Sequence, residues 1–168
     1  MKKIGLLSDT HGFFHPRIPG FFAGCDEIWH AGDVGSLSVI DQLETLAVVR
    51  AVYGNIDGQE IRKRFPEINL FTVEGLKVLM IHIGGYPGRY LPKVRKLIEE
   101  HRPGLFISGH SHILKVMPDQ RHHLLHINPG AAGNSGFHKS ITLVRFKIEN
   151  GRPSDLEILD IDRKKRLA

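Results

Sequence analysis

The stretch Leu6-Leu7-Ser8-Asp9-Thr10-His11-Gly12 closes a short apolar run that begins at Ile4. A run of this length and composition is typical of a buried strand. The strand ends in a carboxylate and an imidazole two residues apart, and a glycine follows at once. One oxygen ligand and one nitrogen ligand at a strand end suit a metal ion. On its own, Asp9-Thr10-His11 is equally compatible with a turn.

The same arrangement, a strand followed by a potential metal ligand, recurs along the chain. The later examples are Gly32-Asp33, Gly54-Asn55, His82 and Gly109-His110-Ser111-His112. Taken singly, Gly-Asp and Gly-Asn pairs are common turns, and a lone histidine after a strand is often a core residue. Two histidines separated by one residue are more specific for metal binding. The ordered recurrence favours one shared site.

The hydrophobic pattern predicts an α/β chain that becomes β-rich toward its end. Strands and helices alternate in the first half, as in parallel βαβ units. The predicted helices are Ser36–Leu46, with a Ser38/Asp41 capping pair, and Pro92–His101; the predicted strands are 4–7, 26–31, 48–52, 68–73, 76–81, 105–108, 113–117, 123–127, 140–148 and 155–161. Two sheets packed face to face, with helices outside, satisfy both halves. We expect a single domain over residues 1–168.

Composition narrows the functional classes. The chain has 168 residues, of which 41% are hydrophobic, and one cysteine. A single cysteine excludes an internal disulfide and fits a reducing compartment, so we expect a cytoplasmic protein with Cys25 buried. No segment is apolar enough to span a bilayer. The net charge of +5 comes from clusters without interleaved aromatic residues, which we expect to be solvated; these clusters are residues 62–64, 93–96 and 163–166.

The donor set restricts the metal. Together the strand ends offer two aspartates, one asparagine and four histidines. Without a thiolate they do not form a Cys-rich structural zinc site, and they are too rich in nitrogen for calcium or magnesium. Mn, Fe, Zn, Co or Ni accept such mixed ligands. Seven donors suit two ions that share a carboxylate, the usual apparatus for in-line phosphoryl displacement.

These motifs, in this order, resemble the metal-binding signature of the calcineurin-like metallophosphoesterases. The length, with Gly54-Asn55-x-Asp57 and Asn128-Pro129-Gly130, is most similar to the small YfcE-type phosphodiesterases. The resemblance implies a four-layer α/β/β/α sandwich of two mixed sheets. It also implies two divalent ions, Mn before Zn, Fe, Ni or Co. One ion would be held by Asp9, His11, Asp33 and His112, and the other by the bridging Asp33 with Asn55, His82 and His110.

The resemblance further implies hydrolysis of a small phosphodiester by a metal-bridging hydroxide, with Asn55 and His82 in catalytic roles. His30, three residues before Asp33, is a candidate support for a ligand. Arg89, in a glycine-rich loop after His82, is a candidate phosphate clamp. Many family members carry a histidine after the Gly-Asn pair, whereas Ile56 cannot donate a proton. The presence of Ile56 at this position favours diesters or activated aryl esters as substrates over alkyl monoesters.

Two other readings stay open. The same fold serves as a non-catalytic scaffold resembling Vps29, but here all the ligand positions hold competent side chains, which favours catalysis. A nuclease is suggested by the positive charge, yet the small size leaves little room for a nucleic-acid groove. Salt-dependent binding of oligonucleotides would support it. A homo-oligomer is compatible with the sequence.

Overall fold

Two five-stranded sheets form the centre of the computed structural model, which describes residues 1–164. In this part of the chain the elements are β1 (Lys2–Leu7), α1 (Ile18–Phe21), β2 (Glu27–His30), α2 (Leu37–Glu44), β3 (Val48–Ala51), α3 (Gln59–Arg64), β4 (Ile68–Val73), β5 (Leu76–Ile81), α4 (Pro92–His101), β6 (Leu105–Ile107), β7 (Leu114–Asp119), β8 (Leu124–Pro129), β9 (Ser140–Glu149) and β10 (Arg152–Asp162). Lys165 and Arg166 of the basic tail lie outside the described residues.

Both sheets are mixed, as expected. The first has the order β10-β9-β1-β2-β3, and the second has the order β4-β5-β6-β8-β7. Strands β1, β2 and β3 are parallel, as are β5, β6 and β8. The remaining pairs are antiparallel. Within each sheet, the parallel strands therefore send their carboxyl ends, and the loops that follow, in one direction.

Alternating side chains divide the core into three apolar layers. Leu6 and Trp29 of the first sheet pack against Val78 and Met80 of the second. The outer face of the first sheet is covered by α1, α2 and α3, and the outer face of the second by α4. The predicted four-layer α/β/β/α sandwich is confirmed.

The short elements depart from the sequence prediction. Helix α2 is capped by Ser36, whose hydroxyl accepts the amide of Ser38 at 3.2 Å, so the predicted Ser38/Asp41 cap is wrong. Helix α3 was not predicted, because Ile61 is its only buried residue and a single apolar side chain gives no periodicity. Cys25 is half-buried in the turn between α1 and β2 rather than in the core.

A buried carboxylate ties the edge of the first sheet together. Glu27 accepts hydrogen bonds from Lys2 at 2.8 Å, from the Trp29 indole at 2.9 Å and from Arg50 at 2.7 Å. Burial would raise the pKa of Glu27, but the bonds from Arg50 and Lys2 outweigh it and lower the pKa to about 2. Glu27 is therefore ionised and fully paired at neutral pH.

The helices can be compared with the prediction that no segment spans a bilayer. Within residues 1–164, no helix combines the length and the apolar composition needed to cross a bilayer.

Candidate metal centre

The loops that carry the predicted ligands meet at the carboxyl ends of the parallel strands. In chain order they follow β1, β2, β3, β5 and β6 and contribute Asp9 with His11, Asp33, Asn55, His82, and His110 with His112. Backbone bonds join neighbouring loops: the amide of Asp9 donates to the Gly32 carbonyl, and the amide of Gly109 donates to the His82 carbonyl, each at 2.9 Å. Five loops distant in sequence thus form one edge, where open α/β sheets bind ligands.

The backbone at this edge adopts an unusual conformation at many of the predicted ligands. Five of the seven predicted ligands adopt a left-handed backbone, with φ between 47° and 70°: Asp9, His11, Asp33, His110 and His112. Non-glycine residues visit this region rarely, and they cluster there at functional sites. Each ligand lies in a tight turn that aims its side chain away from its strand and into the centre.

Two glycines permit the close approach of these turns. A Cβ atom at Gly54 would lie 2.0 Å from Asp33 Oδ1, and one at Gly109 would lie 2.2 Å from Ser8 Oγ and 2.9 Å from Asp9 Oδ2. No side chain larger than hydrogen fits at either position without displacing a carboxylate ligand or its hydroxyl partner. The glycines that precede Asn55 and His110 are therefore part of the ligand geometry.

The donor atoms form two groups, each within 4.8 Å. We call Asp9, His11 and His112 the first ligand group and Asp33, His82 and His110 the second. Asp33 Oδ2 lies 3.5 Å from His11 Nε2 and 3.2 Å from His82 Nε2. One carboxylate oxygen is thus within reach of a nitrogen from each group, the position that a bridging ligand needs.

In each aspartate, one carboxylate oxygen accepts hydrogen bonds from the protein and the other faces the centre. Asp9 Oδ2 accepts hydrogen bonds from the Ser8 hydroxyl at 2.6 Å and from the His110 amide at 3.1 Å. Asp33 Oδ1 accepts the Ile56 amide at 3.0 Å. Asp9 Oδ1 and Asp33 Oδ2 are left facing the histidine nitrogens.

The histidine tautomers complete the arrangement. A carbonyl can only accept, so the contact of 2.7 Å between His82 Nδ1 and the Ala31 carbonyl places a proton on Nδ1. In the neutral ring, Nε2 then presents its lone pair to the centre. Asp9 Oδ1, His11 Nε2 and His82 Nε2 are buried without a hydrogen-bond partner in the described chain. Buried polar atoms without partners are costly, and a carboxylate oxygen that converges with imidazole nitrogens fits divalent transition-metal ions.

The electrostatics favour positive charge at this point. Burial would raise the pKa of Asp9 and of Asp33, but the neighbouring histidines, His112 and His82 respectively, hold both below their usual values when the ring nitrogens that face the carboxylates are protonated. Burial would lower the pKa of His82, yet the two aspartates outweigh it and raise that pKa. Two buried carboxylates ionised at neutral pH attract cations.

His138 supports the predicted ligand His112. His138 Nε2 lies 2.7 Å from the Gly133 carbonyl, so this nitrogen carries the proton. Burial lowers the pKa of His138, which keeps the ring neutral. Its Nδ1 must then accept from His112 Nδ1, 3.1 Å away. This chain of bonds leaves the His112 Nε2 lone pair facing Asp9 Oδ1. No sequence motif marks His138, because its role depends on a loop between β8 and β9.

Asp57 fixes the relative position of two ligand loops. Its carboxylate accepts the amides of Gly54 at 2.8 Å, Gly35 at 2.8 Å and Val34 at 3.2 Å. Because these amides flank Asn55 and Asp33, Asp57 ties the loop after β2 to the loop after β3. The motif Gly54-Asn55-x-Asp57 alone does not indicate this role, because two of the three amides belong to the loop after β2.

His30 forms hydrogen bonds with the ligand loops and, among the described residues, with no predicted ligand side chain. It bonds the Thr10 hydroxyl at 2.9 Å and accepts the Gly32 amide at 3.1 Å. Burial lowers its pKa to about 4. The neutral ring therefore links the loops after β1 and β2 through Thr10 and Gly32, and it supports the ligands through the backbone.

The other predicted site residues lie at the open side of the centre. Asn55 is exposed, and its Oδ1 lies 3.1 Å from His110 Nδ1, which places the amide beside the second ligand group. Arg89 is exposed in the turn after Tyr86 and is absent from the residues that line the two clefts next to the ligands. The structure brings Asn55 to the centre and does not bring Arg89 there.

Comparison with known proteins identifies the family. The family model described as the calcineurin-like phosphoesterase superfamily domain matches residues 1–151. A probable metallophosphoesterase of Methanothermobacter thermautotrophicus is 33% identical over 135 residues, which cover 76% of each chain. The chain belongs to the calcineurin-like phosphoesterase superfamily.

Solved structures agree on the fold. A novel archaeal phosphodiesterase superposes with a TM-score of 0.72 at 23% identity, covering 95% of this chain and 99% of its own. Wild-type Vps29 of Entamoeba histolytica in complex with Zn²⁺ superposes with a TM-score of 0.73 at 16% identity, covering 96% of this chain and 99% of its own. Family and ligand groups together define a metal-dependent hydrolase of phosphoesters.

Proposed function

We propose that this protein is a phosphodiesterase with a dinuclear metal centre, with Mn²⁺ as the first candidate ion. The observation that supports this proposal most strongly is the position of Asp33 Oδ2 between the two ligand groups, within 3.5 Å of a histidine nitrogen from each. Asp9, His11 and His112 would hold one ion, Asn55, His82 and His110 the other, and Asp33 would bridge them. Two such ions would supply an activated water and neutralise phosphate charge.

The protein's own groups orient the substrate. Asn55 Oδ1 is engaged by His110, so the amide nitrogen of Asn55 is available to donate to a phosphate oxygen. Asn55 and His110 are the exposed members of the ligand set, whereas Asp9, Asp33 and His82 are buried. The phosphoester therefore approaches from the side of Asn55 and His110, while the buried carboxylates hold their charge away from the anionic substrate.

The leaving group must depart without a proton from residue 56. The backbone amide of Ile56 is bound to Asp33, and its side chain is hydrocarbon and 46% exposed. General acid catalysis typically contributes about 10²–10⁴-fold, and an enzyme without it favours substrates whose leaving group is stable as an anion. This supports esters with an acidic leaving group, such as aryl esters, as substrates over simple alkyl esters.

A non-catalytic scaffold is the second candidate, because the fold superposes on Vps29. The buried unpaired ligand atoms favour catalysis over this reading, since without a metal they only destabilise the fold. A nuclease is the third, and it requires salt-dependent binding of oligonucleotides.

The test uses metal-stripped protein and two chromogenic substrates, bis-p-nitrophenyl phosphate and p-nitrophenyl phosphate, with and without Mn²⁺. We expect Mn²⁺-dependent hydrolysis that favours the diester and falls at least 100-fold in Asp33→Asn. Glu157→Gln, which alters an exposed acid on β10, is the control and should behave as wild type. Preferred cleavage of the monoester would contradict the diesterase proposal, and no cleavage despite metal binding would favour the scaffold.

A further inference from the structure

A cleft of about 260 Å³ opens beside His110 of the second ligand group. We call it the apolar cleft, and its principal side chains are Ile83, Tyr86, Leu91, Ile113 and Lys115. Its volume is below the about 300–1,000 Å³ of sites that accept a drug-sized molecule. The apolar cleft therefore has room for one ring-sized substituent next to a phosphate bound at the ligands.

The apolar cleft exposes large hydrocarbon groups at a polar site. Ile83, Tyr86 and Leu91 are 38%, 37% and 43% exposed, and Ile113 is 62% exposed. Ile83 and Ile113 each follow a predicted ligand directly in the chain, so the turns that place His82 and His112 also place them. A contiguous exposed apolar patch that adjoins a catalytic centre is typical of a binding surface.

One wall of the apolar cleft is an aromatic ring held by a cation. Lys115 Nζ lies 3.5 Å from the centroid of the Tyr86 ring. A cation–π contact of this kind favours one orientation of the ring. A ring held in this way suits the stacking of another planar ring on the face that the cation does not cover.

A second cleft, of about 370 Å³, adjoins the same ligand group on its Asn55 side and includes Ile83 in its lining. Its other side chains are more polar and include Arg62 and Glu67. Arg62 donates to the backbone carbonyls of Asp57 and Asn55 and stacks over Tyr53. A phosphate at Asn55, His82 and His110 would therefore have an apolar cleft and a polar cleft next to it.

We propose that the apolar cleft binds the ester substituent that phosphorus retains, and that this substituent is a planar aromatic group. The inference rests on the proposed phosphodiesterase function and specifies its substrate class. A diester carries two substituents and a monoester only one, so two adjoining clefts match a diester. The departing oxygen becomes an anion, and because Ile56 cannot protonate it, the polar cleft with its access to water is the better exit.

The decisive comparison keeps the leaving group constant. Phenyl p-nitrophenyl phosphate and methyl p-nitrophenyl phosphate both release p-nitrophenolate and differ only in the retained group. We expect wild type to prefer the phenyl ester in kcat/KM. Tyr86→Ala should lower that preference about tenfold, as expected for the loss of one stacking contact, whereas Tyr86→Phe should keep it. Ile113→Ser should lower it as well, and Ile158→Ser, on the edge strand β10, is the matched control.

A binding measurement accompanies the kinetics. Calorimetry with Mn²⁺-loaded protein should show diphenyl phosphate binding more tightly than dimethyl phosphate, and Tyr86→Ala should remove most of the difference. If wild type hydrolyses neither ester, the proposed function fails, while the calorimetry still tests the cleft. If wild type hydrolyses both esters equally, or if Tyr86→Ala and Ile158→Ser behave alike, the assignment of the apolar cleft is overturned and the phosphodiesterase stands.

Discussion

Replacing His138 by leucine removes the group that sets the tautomer of His112. In the structure, His138 donates to the Gly133 carbonyl at 2.7 Å and accepts from His112 at 3.1 Å. Without an acceptor at His112 Nδ1, the proton is free to move to Nε2, the atom that faces Asp9. A protonated Nε2 cannot bind a metal ion. The variant should therefore bind Mn²⁺ more weakly although every ligand is present.

The size of the effect follows from the role of His138 as the partner of a predicted ligand histidine. Removing such a partner typically costs about 10–100-fold in metal affinity or activity, which corresponds to about 1.4–2.8 kcal/mol. We expect a weakening of about 10–100-fold in the affinity for Mn²⁺.

The assay is calorimetric titration of metal-stripped protein with Mn²⁺, after thermal unfolding has shown that each variant is folded. His138→Asn keeps an acceptor close to the position of Nδ1 and should recover part of the affinity. His101→Leu, at the end of α4, is the control for loss of a histidine elsewhere. Wild-type affinity in His138→Leu, or equal affinities in the leucine and asparagine variants, would refute the positioning role of His138.

Three further predictions concern the loops and the fold. Gly54→Ala forces a methyl group onto the bridging aspartate, so we expect at least a tenfold loss of Mn²⁺ affinity by titration, with Gly58→Ala, which meets nothing within 4 Å, unaffected. Glu27→Gln should lower the free energy of unfolding in urea by about 1–3 kcal/mol at pH 7. Because the pKa of Glu27 falls from 4.5 to about 2 on folding, its contribution to stability is present above pH 4.5 and is lost as the pH decreases toward 2. The difference in unfolding free energy between wild type and variant should therefore vanish toward pH 2. A difference that does not change with pH would contradict this. Ile56→His introduces a proton donor and should raise kcat/KM for phenyl phosphate relative to p-nitrophenyl phosphate about tenfold or more; an unchanged ratio would argue against the role given to the leaving group.

The sequence was sufficient for most of the strands and for the two longer helices, α2 and α4, and it indicated which side chains meet at the centre. Strands such as β1 and β5 are continuous apolar runs because both of their faces are buried, and this makes them easy to recognise. β7 extends to Asp119 through Pro118, where the prediction stopped at Met117. Proline is tolerated there because β7 is an edge strand. That position in the sheet is not visible in the sequence.

What the sequence could not supply is contact between distant loops. The function of His138 depends on two hydrogen bonds across a loop, and that of Asp57 depends on amides from the turn after β2. The apolar cleft likewise combines residues from the loop after β5 with residues that follow β6. Such contacts arise from the packing of the two sheets, and no local pattern of residue types records them.

The most direct test of a dinuclear centre is the number of ions bound. Metal-stripped protein titrated with Mn²⁺ should reach saturation at two ions per chain by elemental analysis, with the electron paramagnetic resonance signal of a spin-coupled pair. Asp33→Asn should lose that coupling together with the activity toward bis-p-nitrophenyl phosphate. Saturation at one ion per chain with full diesterase activity would contradict the account.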